Sequence, residues 1–200
     1  MKTTAMMTMA AMLGSMAWAA SKPDDQKVVA CFEEAGGSLR EGPQARMIAS
    51  ALFQTAGVKL EWHTGLRFCE AQRDQVILVS LSMNTPKDLL PGALAYARPF
   101  EGVHIKVLYD RIATGAHSPQ LRPYLLAYVI VHEITHILEG IDRHSDSGIM
   151  KAQWGEHERD LIMRTRLRFT EQDIEMIHQG LAVHAAHRAS GTLVAAAPLQ

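Results

Sequence analysis

Residues 123 to 140 leave this chain few ways to fold. Pro123-Tyr-Leu-Leu-Ala-Tyr-Val-Ile-Val131 is apolar almost all round, the composition of a helix buried in a core. The same run continues into His132-Glu-Ile-Thr-His136. Pro123 suits the first helical position, and Gly140 offers a left-handed stop. Side chains turn about 100° per residue on a helix, so His132 and His136, at i and i+4, leave one face about a turn apart. Two imidazoles and a carboxylate are costly to bury without partners. A metal ion shared by the two rings supplies one. Glu133 is turned too far round to be a good third ligand, but it can reach a water on the metal and take its proton.

Chain reversal after Gly140 would bring His144 back toward the two helical histidines, with Ser145 to Met150 as a turn beneath them. His132-Glu-Ile-Thr-His136, Gly140, His144-Ser145 and Gly148-Ile-Met150 resemble the metzincin zinc peptidases, most of all their matrixin-like and small bacterial secreted branch. The resemblance implies His132, His136 and His144 as ligands of one Zn2+ per chain, Glu133 as the base and Met150 as the methionine of the turn below the metal. One departure is clear. The family places its glycine three residues after the second histidine and its third histidine six after it, whereas Gly140 and His144 lie four and eight after His136. Asp142 stands at the family's spacing of six and is the direct rival as third ligand. His144 is preferred because His-Ser followed by Gly-Ile-Met matches beyond the spacing, and lengthening a loop by two residues costs little. Glu156, twenty residues after His136, resembles the later ligand of the thermolysin-like group, but that reading leaves the His144 to Met150 segment without a purpose.

The start of the chain bears on compartment. Met1-Lys2, an apolar run from Ala5 to Ala20 and the small-x-small triplet Ala17-Trp18-Ala19 read as a secretory signal peptide over residues 1–19. No later run approaches the eighteen or so apolar residues of a membrane span. The expectation is a secreted or periplasmic protein without a span after cleavage. In that setting Cys31 and Cys69, the two cysteines of the chain, are expected to form a disulfide. About seven residues separate the cleavage point from the first strand, too few for an inhibitory propeptide.

Composition bounds partners. Twenty basic and 21 acidic residues give a formal charge of −1, and no electrostatic partner is implied. Arg164, Arg166 and Arg168 read as a solvated face and not as a nucleic-acid patch. His63, His104, His117, His157 and His178 lack partner spacing. His184 and His187, at i and i+3, amount at most to a weak surface site. No acidic loop has calcium-binding spacing, and oligomeric state is not encoded in any visible pattern.

Along the chain, Lys27 to Phe32, Val58 to Trp62, Gln75 to Leu81 and Val103 to Tyr109 read as strands, the third apolar enough to be central. Ala93 to Ala97, lying between Pro91 and Pro99, has the marks of an edge strand. Arg40 to Thr55 reads as an amphipathic helix with Ala45, Ile48, Ala49 and Leu52 on one face. Thr170 and Asp173 resemble a capping box before a closing helix that carries Ile174 and Ile177. Composition alone says α/β or α+β. The resemblance implies a mixed twisted sheet of about five strands, a site helix and a closing helix, with the catalytic domain over 20–180 and an Ala-rich frayed tail over 181–200.

The function implied is a zinc-dependent endopeptidase in which Glu133 activates a zinc-bound water. Its peptide or protein substrate would lie as an extended strand along Ala93 to Ala97. Lys151 to Trp154, just past the turn methionine, is where the family builds its main specificity pocket. Some metzincins have a tyrosine two residues past that methionine, and here the position is Ala152. The alternative is a secreted zinc-binding or adhesion module with structural zinc. An intact Glu133 argues against it, since structural zinc needs no base and usually takes four protein ligands.

Overall fold

The computed structural model describes residues 26–33, 39–72, 76–87, 89, 91–98 and 103–190. The expected signal peptide and residues 191–200 lie outside them. Five strands form one mixed sheet: β1 (Lys27–Glu33), β2 (Lys59–His63), β3 (Ile77–Ser82), β4 (Ala95–Arg98) and β5 (His104–Leu108). Their spatial order is β2-β1-β3-β5-β4. The β1–β2, β1–β3 and β3–β5 pairs are parallel, and β4 runs antiparallel to β5. The apolar third strand is central and the proline-flanked strand is an edge, as expected.

Alternation along the strands sorts the two faces. Val28, Ala30, Phe32, Ile77, Val79, Leu81, Ile105 and Val107 enter the main core. Cys31 and Leu78 point the other way and form a small second cluster with Val76 and Cys69. Cys69 belongs to α2 (Leu66–Ala71), and its disulfide to Cys31 ties that helix to β1.

The main face is covered by α1 (Gly42–Thr55), whose buried Ala45, Ile48, Ala49 and Leu52 form the expected stripe. Beside it lies α4 (Arg122–Glu139), buried on nearly every side. Its remaining neighbours include α3 (Tyr109–Gly115), α5 (Glu156–Met163) and α6 (Glu171–Ser190). Thr170 and Asp173 cap α6 reciprocally: the Thr170 amide donates to Asp173 Oδ2 at 2.9 Å, and the Asp173 amide to Thr170 Oγ1 at 3.1 Å.

One expectation is corrected. The stretch from Leu181, read as a frayed tail, stays helical through Ser190. Leu181 is buried in the main core and His184 Nε2 donates to the Ile137 carbonyl at 3.3 Å, so packing against α4 holds a segment that Ala-rich composition already favours as helix. The crossing is close: a Cβ on Gly180 would stand 1.7 Å from the Leu138 carbonyl oxygen.

Candidate metal centre

The helix α4 carries His132 and Glu133 into the interior, each only 9% exposed, with His136 half-buried one turn on. It stops at Gly140, in the left-handed region at φ 68°, where the glycine amide donates to the His136 carbonyl at 2.9 Å. Each ring is oriented by a backbone carbonyl: His132 Nδ1 lies 2.9 Å from Ile149 O, and His136 Nδ1 lies 3.3 Å from Ile141 O. A carbonyl only accepts, so both Nδ1 atoms carry the proton and both Nε2 atoms carry lone pairs. Those two Nε2 atoms stand 3.1 Å apart. With no proton between them this is not a hydrogen bond. It is close to the spacing of about 3.3 Å that two nitrogens bound tetrahedrally at about 2.0–2.1 Å would have.

His144 completes the group. Its ring centroid lies 5.3 Å from that of His132 and 5.0 Å from that of His136. One ligand atom from each of the three histidines falls within 4.8 Å of the others. Asp142 and Glu156 are both exposed, and among the described residues neither joins this group. The longer loop after Gly140 is closed by a tight turn. The Ser145 amide donates to Met150 O at 2.8 Å, and Ser145 bridges to Lys151. Gly148, at φ 77°, lies so close to Arg168 that a Cβ there would stand 2.5 Å from its carbonyl oxygen. Met150 is fully buried within this turn.

Electrostatics suit a cation. Burial, with the neighbouring histidines adding to it, pushes His132 down to about 4, and burial likewise lowers His136. Both rings are therefore neutral near pH 7, as metal ligands must be. Burial raises Glu133 to about 7, against a hydrogen bond from the Ala97 backbone that favours its charged form. Facing lone pairs on neutral imidazoles fit a dication, and three nitrogens leave a fourth position of a tetrahedral zinc site to a small ligand.

The Ala97 contact locates the sheet edge. Leu108 N–H donates to Leu94 O at 2.8 Å, and the register continues Tyr96↔Lys106 and Arg98↔His104. Hydrogen-bonded pairs alternate with non-bonded ones in an antiparallel ladder. Ala95 and Ala97 therefore turn their amides and carbonyls away from β5, to the free edge, where Glu133 lies. The sequence marked the edge strand but not its contact with Glu133, which arises only when the sheet and α4 pack. Trp154 packs on the His132 ring, and no local pattern in the sequence marks that contact.

In this mixed α/β domain a buried helix and the loop after it gather three histidines that could hold a metal ion, beside a buried carboxylate. In solved structures this fold is similar to that of archaemetzincin from Methanopyrus kandleri, with a TM-score of 0.50, 15% identity, and coverage of 78% of this chain and 96% of that one. It is also similar to a zinc-dependent peptidase from Methanocorpusculum labreanum, with a TM-score of 0.54, 12% identity, and coverage of 74% and 99%. No protein-family profile matches the sequence, and no curated protein matches it.

Proposed function

We propose that this protein is a secreted or periplasmic zinc-dependent endopeptidase with His132, His136 and His144 as ligands, Glu133 as general base and Met150 as the methionine of the turn. The observation that carries the reading is the convergence of three histidine ligand atoms within 4.8 Å beside a buried glutamate. The similar fold of an archaemetzincin and of a zinc-dependent peptidase supports it. The matrixin-like branch is the finer assignment, resting on His144-Ser145 and Gly148-Ile-Met150; one of the solved structures similar in fold is an archaemetzincin.

When bound, zinc supplies Lewis acidity toward a peptide carbonyl and makes water a nucleophile near neutral pH. Glu133 accepts the proton of the attacking water and hands it to the leaving amine. Burial places its pKa near 7 without metal, and a dication beside it lowers that value, leaving an ionised base at neutral pH. The carbonyls of Ile149 and Ile141 keep two rings in the ligating tautomer. The outward-facing amide and carbonyl of Ala95 and the carbonyl of Ala97 take an extended peptide by strand addition, with its scissile bond next to Glu133, which holds the Ala97 amide. Export fits two observations: the Cys31–Cys69 disulfide, and the fact that no described helix is long and apolar enough to cross a membrane.

The test is metal content and casein hydrolysis for the purified protein and Glu133→Ala. One equivalent of zinc in both, with chelator-sensitive hydrolysis only in the parent, is expected. Zinc in both with hydrolysis in neither would favour a structural zinc module.

A further inference from the structure

The loop that carries His144 is not held by its own turn alone. Arg143 and Ser145, immediately before and after the histidine, both reach the same carboxylate. Arg143 donates to Asp173 Oδ1 at 2.7 Å and Ser145 Oγ donates to that oxygen at 2.6 Å, while Arg143 also donates to Ser145 Oγ at 2.9 Å. The Arg143 Nη2 that donates to Asp173 also meets Glu139 Oε1, in the last turn of α4, at 3.4 Å. The Asp173 side chain is fully buried. Burial alone would raise its pKa, but its hydrogen bonds from Ser145, Thr170 and Arg143 outweigh that and hold it below the ordinary value.

Helix capping does not account for this arrangement. Capping α6 uses Oδ2, through the Thr170 amide, and leaves Oδ1 turned toward the loop. Burying a carboxylate is costly unless it is paired and hydrogen-bonded, and here the pairing spans α6, the loop and the end of α4. The clamp grips the two neighbours of His144, in the segment two residues longer than the family's pattern. We infer that Asp173 is a positioning residue for His144: acting through Arg143 and Ser145, its carboxylate shapes the loop that presents the third ring to the metal. This rests on the zinc reading above.

The experiment measures Zn2+ affinity by competition with a chromogenic chelator, and the visible spectrum of the Co2+-loaded protein. The set is the parent, Arg143→Ala/Ser145→Ala, His144→Ala and the combined triple variant. Loss of the clamp is expected to weaken Zn2+ binding by about 10–100-fold, the usual effect of removing groups that orient ligands, and to shift the Co2+ bands. In the His144→Ala background the same two substitutions should change affinity by less than about twofold, because no third ring remains to be positioned. Asp173→Asn keeps an acceptor for the Thr170 amide but presents a poorer partner to Arg143 and Ser145, and should reproduce the double variant. Ser145→Ala alone should give a smaller loss with the same dependence on His144, and it serves if the double variant does not fold. Unchanged affinity in the clamp variants, or an equal loss without His144, overturns the inference. Parent-like affinity in His144→Ala would overturn the three-histidine reading itself and the clamp with it.

Discussion

Trp154 meets the His132 ring edge-on, with centroids 5.7 Å apart and planes at 87°. A cation binding His132 therefore changes the electrostatic surroundings of one indole directly. Trp62, by contrast, donates to Ser50 Oγ at 3.0 Å beside α1 and packs on Phe32. Zn2+ titration of the metal-free protein is expected to change the tryptophan emission, and Trp154→Phe to remove that change while leaving zinc content intact. An undiminished change in Trp154→Phe would place the reporter elsewhere.

The metal-free protein should show a pH signature from Glu133. Its folded pKa, about 7, exceeds the ordinary value of 4.5. Between those values the folded state holds more protons than the unfolded state, so this group's contribution to stability falls as pH rises and is level above about 7. His132, lowered from 6.5 to about 4, acts oppositely, adding stability as pH rises through that window. The difference between Glu133→Gln and parent isolates the glutamate. The variant's relative stability should climb by something on the order of 3 kcal/mol from pH 4.5 to 7.5. Urea melts at both pH values read it, and a pH-independent difference would contradict a raised Glu133.

Gly148→Ala places a Cβ 2.5 Å from the Arg168 carbonyl oxygen at a φ of 77°. A cost of about 1–3 kcal/mol is expected. Zinc affinity should fall with it, because the next residue, Ile149, supplies the carbonyl that orients His132. Thermal melts and chelator competition read the two effects separately. Parent-like values in both would mean that the turn yields freely.

The Cys31–Cys69 bond closes a loop with a sequence separation of 38, worth about 4 kcal/mol on the chain-entropy account. It lies in the small cluster on the sheet face opposite the main core. Cys31→Ala/Cys69→Ala should lose stability of that order and keep zinc stoichiometry at low temperature. Loss of zinc from a protein that remains folded would reveal a coupling across the sheet.

Local periodicity made much of this fold legible. The apolar run into His132, the glycine stop, the central third strand, the edge strand and the stripe on α1 are all written in spacings of two, three and four residues. Short elements escaped. Within α5 only Ile162 is buried, too little for a periodic signal, and Tyr109, read as the end of a strand, begins α3. Strand order was illegible because it depends on where each crossover returns. The contacts Ala97–Glu133 and Arg143–Asp173 join distant segments, so Asp173 could be read only as a helix cap.

The four-residue β4 also bounds how firmly any chain can be gripped there. Only two of its residues, Ala95 and Ala97, turn their backbone groups outward, and the Ala97 amide already meets Glu133. So short a seam gives another copy of the sheet little to zip onto. By the same measure, any extended segment added along it would gain few backbone bonds.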